Sequence, residues 1–218
     1  MMCPPISSPR PPMSHLPVNL NDLPGFASFV RVNPFQRETH NGYDFGAYRK
    51  KDDTFVLGLP PAIPVRPMAP GIIDEVLVDY EDGFYHQFVT VRHGPTLTST
   101  YVHIQPTHGL KKGDAVGTHS VLGKLVGLTR QASHKPAEIV RSIYPHLHFT
   151  IERQGSAINP KDMVSFRDAP FHVAERTRLE FPGFDAILCN RDLARPFLEQ
   201  GLLTYEPRWH TFLLNRKP

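Results

Sequence analysis

His40-Asn41-Gly42-Tyr43-Asp44 places an imidazole and a carboxylate four residues apart. Tyr101-Val102-His103-Ile104 adds a second histidine, and His146-Leu147-His148-Phe149 adds two more at alternate positions. Together they form a set of nitrogen and oxygen donors suited to one zinc ion. Zinc sites that do chemistry keep about three protein ligands at ~2.0–2.2 Å and leave the fourth place to water. A hydrolase is the first function these residues point to.

The donors need elements that can bring them together. Pro145 to Glu152 reads as a strand, with Leu147, Phe149 and Ile151 on one face and His146, His148, Thr150 and Glu152 on the other. Successive side chains of a strand point to opposite faces, so the apolar set can pack on a core while both histidines look into one groove. One histidine can then bind metal while its neighbour acts on the bound water. Between His40 and Asp44, Gly42 argues against a helix, because glycine weakens helix interiors. A loop running into a strand fits better, and Phe45 and Ala47 can continue it.

The combination resembles the M23 family of zinc metallopeptidases, the lysostaphin-like or LytM-type peptidoglycan endopeptidases, over about Arg37 to Pro160. Further segments carry the likeness in the same order. Pro64-Val65-Arg66-Pro67-Met68-Ala69-Pro70-Gly71-Ile72-Ile73 is similar to the family's turn into its second strand. Phe88-Val89-Thr90-Val91-Arg92-His93-Gly94 is similar to its strand ending in a histidine-glycine pair. Leu110 to Gly117 resembles the loop after the Tyr-x-His strand, and Ile158-Asn159-Pro160 the closing of the domain.

Carried over residue by residue, the resemblance implies that His40, Asp44 and His148 bind zinc, one ion per chain. It implies that His103 and His146 are catalytic, His146 as general base and His103 as stabiliser of the transition state. It implies an antiparallel β-sheet groove of the duplicated-hybrid-motif (LytM-like) type, and a peptidoglycan peptide as substrate. Two features depart from the family pattern. Thr129 to Tyr144 is longer and more charged than the usual short turn before the HLHF strand, with His134, Lys135, Glu138 and Arg141. Thr150 stands where the family often has an acid. The long loop is expected to wall the groove, which makes His134 a candidate substrate-groove residue; Tyr101, on the same strand face as His103, is another candidate, with packing as its alternative.

Length and composition bound the rest. The 218 residues suit one domain with extensions, and 40% apolar residues suffice for a core. A net charge of +3, without a long lysine/arginine run or aromatic-basic interleaving, argues against a nucleic-acid partner. Cys3 and Cys189 lie far apart with no CxxC spacing, so no disulfide framework is implied. No stretch reaches the ~18 apolar residues of a membrane helix. Met1 to Val18 has no basic start followed by an apolar run and does not read as a secretory signal. The resemblance implies work at the cell envelope or outside the cell, with three routes open: a signal already removed, delivery in a virion, or export by a dedicated machinery; the protein is expected to be a monomer.

Three parts follow along the chain. Met1 to Phe35 holds eight of the 23 prolines and is expected to be extended and polyproline-like, with residues near Leu20 to Val30 packing on the domain. Residues 36–160 alternate short β-like runs with turns such as Asp82-Gly83 and Gly113-Asp114, an all-β pattern. Lys161 to Pro218 forms a third part, expected to wrap and pack on the domain, with a small wall- or partner-binding module as the alternative. There, Pro196 to Gln200 reads as a short helix with proline in its first turn and Gly201 past its end. Thr204-Tyr205 and Trp209 to Leu214 read as strand or buried turn. Phe166, Phe171, Phe181, Phe184, Trp209 and Phe212 make this part too aromatic for a free linker.

The remaining histidines read as structural or surface residues, His93 being a structural one at a strand end. Two other functions compete with the zinc hydrolase. A non-catalytic wall-binding or hydrolase-activating module on the same fold would lose ligands, and all five key residues are present. A phosphocarrier with two facing histidines would not need His40 and Asp44 at their spacing. No HExxH, GxSxG or P-loop pattern supports another enzyme class.

Overall fold

The computed structural model describes residues 14–78, 87–127, 144–184, 186–187, 191–207 and 211–215. The Asp82-Gly83 turn, nearly all of the Thr129–Tyr144 loop with His134, both cysteines and Trp209 lie outside the described residues.

The chain is mainly β and mostly antiparallel. Its central sheet runs in the order Ala115–Val116, Gly71–Leu77, Phe88–Arg92, Leu97–Val102, Leu147–Arg153, Ser156–Ile158, with Tyr43–Phe45 paired to the start of Leu147–Arg153. Every pairing in it is antiparallel. The two-residue period decides which side chains go inside. Ile73, Val89, Val91, Tyr101, Leu147, Phe149 and Ile151 are all buried on one face and join Phe45, Met68 and Leu122 in the larger of two cores. Across the opposite face, Thr90 and Thr100 share a hydroxyl hydrogen bond at 3.0 Å between neighbouring strands.

A second sheet of five strands runs Asp168–Pro170, Phe26–Arg31, Ala47–Lys50, Phe55–Leu57, Leu179–Glu180. One of its strands comes from the stretch near Leu20 to Val30 that the sequence expects to pack on the domain. Leu20–Asp22 is a 3-10 turn capped by Asn19, and Phe26–Arg31 is a full strand beside Ala47–Lys50. Phe29 and Val30 are wholly buried in it, one in each core. Burial of such side chains stabilises by about 1.5–3 kcal/mol each, which outweighs the polyproline habit of the flanking residues. The outer strands of this sheet come from beyond residue 160 and pair in parallel, which no local signal could announce.

The C-terminal part forms a small sheet, Ala186–Ile187, Thr211–Leu214, Leu203–Glu206, beside the helix Arg191–Glu199. The helix starts five residues earlier than expected, so Pro196 lies inside it rather than in its first turn. The missing N–H of Pro196 deprives the Asp192 carbonyl of its helical partner, a real cost. Against it stands the burial of Ala194 and Phe197 in the second core. The end of the helix is as expected: Gly201 has φ +66°, its N–H bonds to Leu198 O at 2.9 Å, and Leu202 N–H bonds to Phe197 O at 2.8 Å. That pair is the Schellman closure, which favours glycine at the left-handed position. Among the described residues no helix is long and apolar enough to cross a membrane.

Candidate active site

Asp44 and His148 are direct cross-strand partners in the antiparallel register Leu147↔Phe45, His148↔Asp44, Phe149↔Tyr43. Side chains paired in this way stand about 4.5–5.5 Å apart at Cβ, which suits two groups serving one ion. The backbone over them must be thin. A Cβ added at Gly42 would sit 2.7 Å from His148 Cε1 and 2.8 Å from Phe149 O, so any other residue there pushes the imidazole aside.

His40 arrives from a tight loop, where its N–H and C=O both bond to the backbone of Gln36 at 2.7 and 2.8 Å. The loop therefore runs into the strand Tyr43–Phe45, as Gly42 suggested. The three side chains converge: His40 Nε2 lies 3.2 Å from Asp44 Oδ1 and 3.0 Å from His148 Nδ1, and His148 Nδ1 lies 2.8 Å from Asp44 Oδ1. Each donor has a partner behind it. His40 Nδ1 donates to Pro34 O at 3.0 Å, His148 Nε2 pairs with Thr150 Oγ1 at 3.1 Å, and Asn33 Nδ2 donates to Asp44 Oδ2 at 2.8 Å. In the tautomer with His148 Nε2–H donating to that hydroxyl, two imidazole lone pairs and a carboxylate oxygen face one point.

Three acceptors so close call for a cation between them. Tetrahedral zinc at ~2.0–2.2 Å from each ligand would set its donors about 3.3–3.6 Å apart, and ligating histidines normally donate their other ring N–H in this way. The donors stand at 2.8–3.2 Å, short of those separations, so they must spread apart slightly to admit the ion; their chemistry and outer partners fit zinc. The charges agree. Burial works against ionised Asp44, yet His146, His148 and His40 around it hold its carboxyl well below the usual range. Burial alone would lower His40, but the hydrogen bond and charge of Asp44 raise it above the ordinary histidine value.

The second pair of histidines stands alongside. His146 is 4% exposed, and its Nδ1–H donates to Tyr144 O at 2.8 Å, which leaves the lone pair on Nε2. Burial pushes its pKa down despite the opposing charge of Asp44. His103 faces it edge-on with ring centroids 4.5 Å apart, and lies 6.4 Å from His148. Its backbone is in the left-handed region at φ +65°, held by His103 N–H to Gln87 O and Val126 N–H to His103 O, both 2.9 Å. That conformation costs a non-glycine residue about 1–3 kcal/mol and tends to gather at functional sites. Here it turns His103 out of the alternation that buries Tyr101.

Residues 38–160 match the family model described as peptidase family M23. The chain belongs to peptidase family M23. Solved structures similar to it include Csd3 of Helicobacter pylori, at 18% identity and TM-score 0.45, covering 87% of this chain and 38% of that one. The lysostaphin catalytic domain from Staphylococcus simulans matches at 17% identity and TM-score 0.38, covering 63% of this chain and 86% of that one. A mutant catalytic domain of the prophage-encoded M23 protein EnpA from Enterococcus faecalis matches at 17% identity and TM-score 0.39, covering 62% of this chain and 86% of that one. This chain thus spans well under half the length of Csd3.

Within the M23 domain, the structure brings together five of the seven residues singled out from the sequence: His40, Asp44, His103, His146 and His148. Tyr101 is a correction. It is fully buried, and its hydroxyl accepts from Met68 N–H at 2.7 Å and lies 2.9 Å from Ser99 Oγ, so it cannot line a groove. His93 joins that buried network through Ser99 Oγ at 2.7 Å and Pro70 O at 2.9 Å, a structural role. His134 lies outside the described residues. Sequence reasoning missed Asn33, the Pro34 carbonyl and the use made of Thr150. Thr150 could have been found, two residues from His148 on the same strand face. Asn33 carried no signal, because its reach to Asp44 depends on how the preceding loop is folded.

Proposed function

We propose that this chain is a zinc-dependent endopeptidase that hydrolyses peptide bonds in the stem peptides or cross-bridges of bacterial peptidoglycan. The observation that carries it is the convergence of His40 Nε2, Asp44 Oδ1 and His148 Nδ1 within 2.8–3.2 Å of one another, with His146 and His103 beside them. The polymer rests on membership of the M23 family.

His40, Asp44 and His148 would hold zinc, which when bound polarises water and the scissile carbonyl. His146 takes the proton of the attacking water on Nε2, because Nδ1 is committed to Tyr144 O. His103 donates a hydrogen bond to the oxygen on which charge develops, from a position its strained backbone sets in advance. His146 then returns the proton to the leaving amine. Membership of the M23 family supports work at the bacterial wall, and in this reading a monomer, delivered by a virion or export machinery, meets an extended peptide there.

The test is digestion of purified sacculi of several wall chemistries, with mass spectrometry of the released fragments. Fragments with new amino termini inside a stem or cross-bridge are expected, abolished by a chelator and restored by zinc. Zinc-loaded protein that releases nothing from any wall type overturns the proposal and leaves a non-catalytic wall-binding module.

A further inference from the structure

The metal donors and the base rest on different parts of the molecule. Residues flanking Asp44 and His148 (Tyr43, Phe45, Leu147 and Phe149) all belong to the larger core. The residue whose carbonyl holds His146 belongs to the other core. Tyr144 is 3% exposed and clusters with Ala47, Phe55 and Leu57 of the M23 domain and with Phe181, Ile187, Ala194, Phe197, Leu203 and Phe212. The last six all lie beyond residue 160, outside the segment that matches the family.

Three further contacts fix the same short stretch. The Tyr144 ring lies 5.0 Å from that of His146, and a Cβ at Gly46 would collide with it. Pro145 O accepts from Leu59 N–H at 2.7 Å. Pro145 Cδ and Phe184 Cζ both crowd Gly58, at 3.3 and 2.6 Å from where its Cβ would stand, and Phe184 stacks on Phe181 at 5.5 Å. A buried aromatic cluster is close-packed, so moving one ring moves its neighbours.

We propose that the C-terminal part of the chain, 161–218, positions the general base: its aromatic core clamps Tyr144-Pro145, and the Tyr144 carbonyl then holds His146 with the proton on Nδ1 and the lone pair on Nε2. The positioning residues are Phe181, Phe184 and Phe197, none of which touches the reacting atoms. The inference rests on the reading of His146 as base, but its consequence for the ring does not.

The test uses the full zinc-loaded chain carrying Phe197→Ala, beside Leu122→Ala as a cavity of similar kind in the larger core. Three quantities are read: zinc per chain, kcat and KM on a wall peptide, and the His146 tautomer from ring ¹⁵N chemical shifts. Phe197→Ala should keep one zinc and a KM within about twofold, lose tenfold or more in kcat, and show mixed His146 tautomers, on the order of the loss expected when a base is misplaced. Leu122→Ala should keep the Nδ1–H tautomer and kcat. If Phe197→Ala does not fold, Phe184→Ala, half-buried at the edge of the cluster, is read in the same way. A folded variant that keeps the wild-type tautomer overturns the proposal, as does an equal tautomer change in Leu122→Ala. Because the tautomer is read without substrate, the outcome stands even if no peptide is cleaved.

Discussion

His146 and His148 are two residues apart on one segment, yet what holds them differs. His148 sits inside a regular ladder, flanked by Asp44 on one side and Val102 on the other, with Thr150 bonded to its far nitrogen. His146 precedes the strand, bonds to a backbone carbonyl, and leans on a core built largely by the C-terminal part of the chain. The proposed metal half is fixed by sheet register and side-chain hydrogen bonds. The proposed base half is fixed by aromatic packing. Damage to one should therefore be separable from damage to the other.

The largest effect should come from the metal half. Asp44→Ala or His148→Ala should lose zinc and peptide release together, because two donors cannot hold the ion as three do. Elemental analysis beside fragment release checks this, and a variant that releases peptide without zinc would break the comparison.

His146→Ala should keep about one zinc per chain while turnover falls on the order of 10²-fold or more, the usual contribution of a general base. The same two measurements decide it. An empty site in His146→Ala with a filled one in His148→Ala would exchange the roles of the two histidines.

A smaller effect is expected at Asn33, which bonds the outer oxygen of Asp44 at 2.8 Å. Removing such a partner typically weakens metal affinity about 10–100-fold, so Asn33→Ala should weaken zinc binding in competition with a chelating dye. Its kcat at saturating zinc should change little. If kcat falls while affinity is unchanged, Asn33 serves the base half instead.

The smallest effect concerns pH and folding. Burial lowers the pKa of His93, against the pull of the Pro70 and Ala69 carbonyls. Its unfolded value is near 6.5, so between the two values the unfolded chain binds a proton that the native chain does not. Stability from this group is thus fully present above about pH 6.5 and is lost as pH falls toward the lower native value. Urea midpoints at pH 7.5 and 5.5 should drop more in wild type than in His93→Gln. An equal drop would place the pH sensitivity elsewhere.

Much of the metal half was legible before the structure. The two-residue period of Leu147–Ile151 put the apolar set inside and His148 on the groove face, and Gly42 marked a loop running into the Asp44 strand. Both signals are local. The base half was less legible because its supports are not. Tyr144 meets Phe197 only through a core closed by residues some fifty positions away, and Phe26–Arg31 becomes a strand only because Ala47–Lys50 and Asp168–Pro170 flank it. Tyr101 was misplaced because strict alternation puts it with His103, whereas the left-handed residue at 103 breaks that alternation. The early start of the Arg191–Glu199 helix was hidden by Pro196, whose cost is offset by contacts outside the helix.

The most direct test of the central claim, that peptide hydrolysis depends on one zinc held by His40, Asp44 and His148, is a titration of metal-free wild-type protein with zinc. Bound metal and fragments released from sacculi are measured on the same samples. Release should rise in proportion to bound zinc and level off at one ion per chain. Release by the metal-free protein, or none at one zinc per chain, would contradict the account.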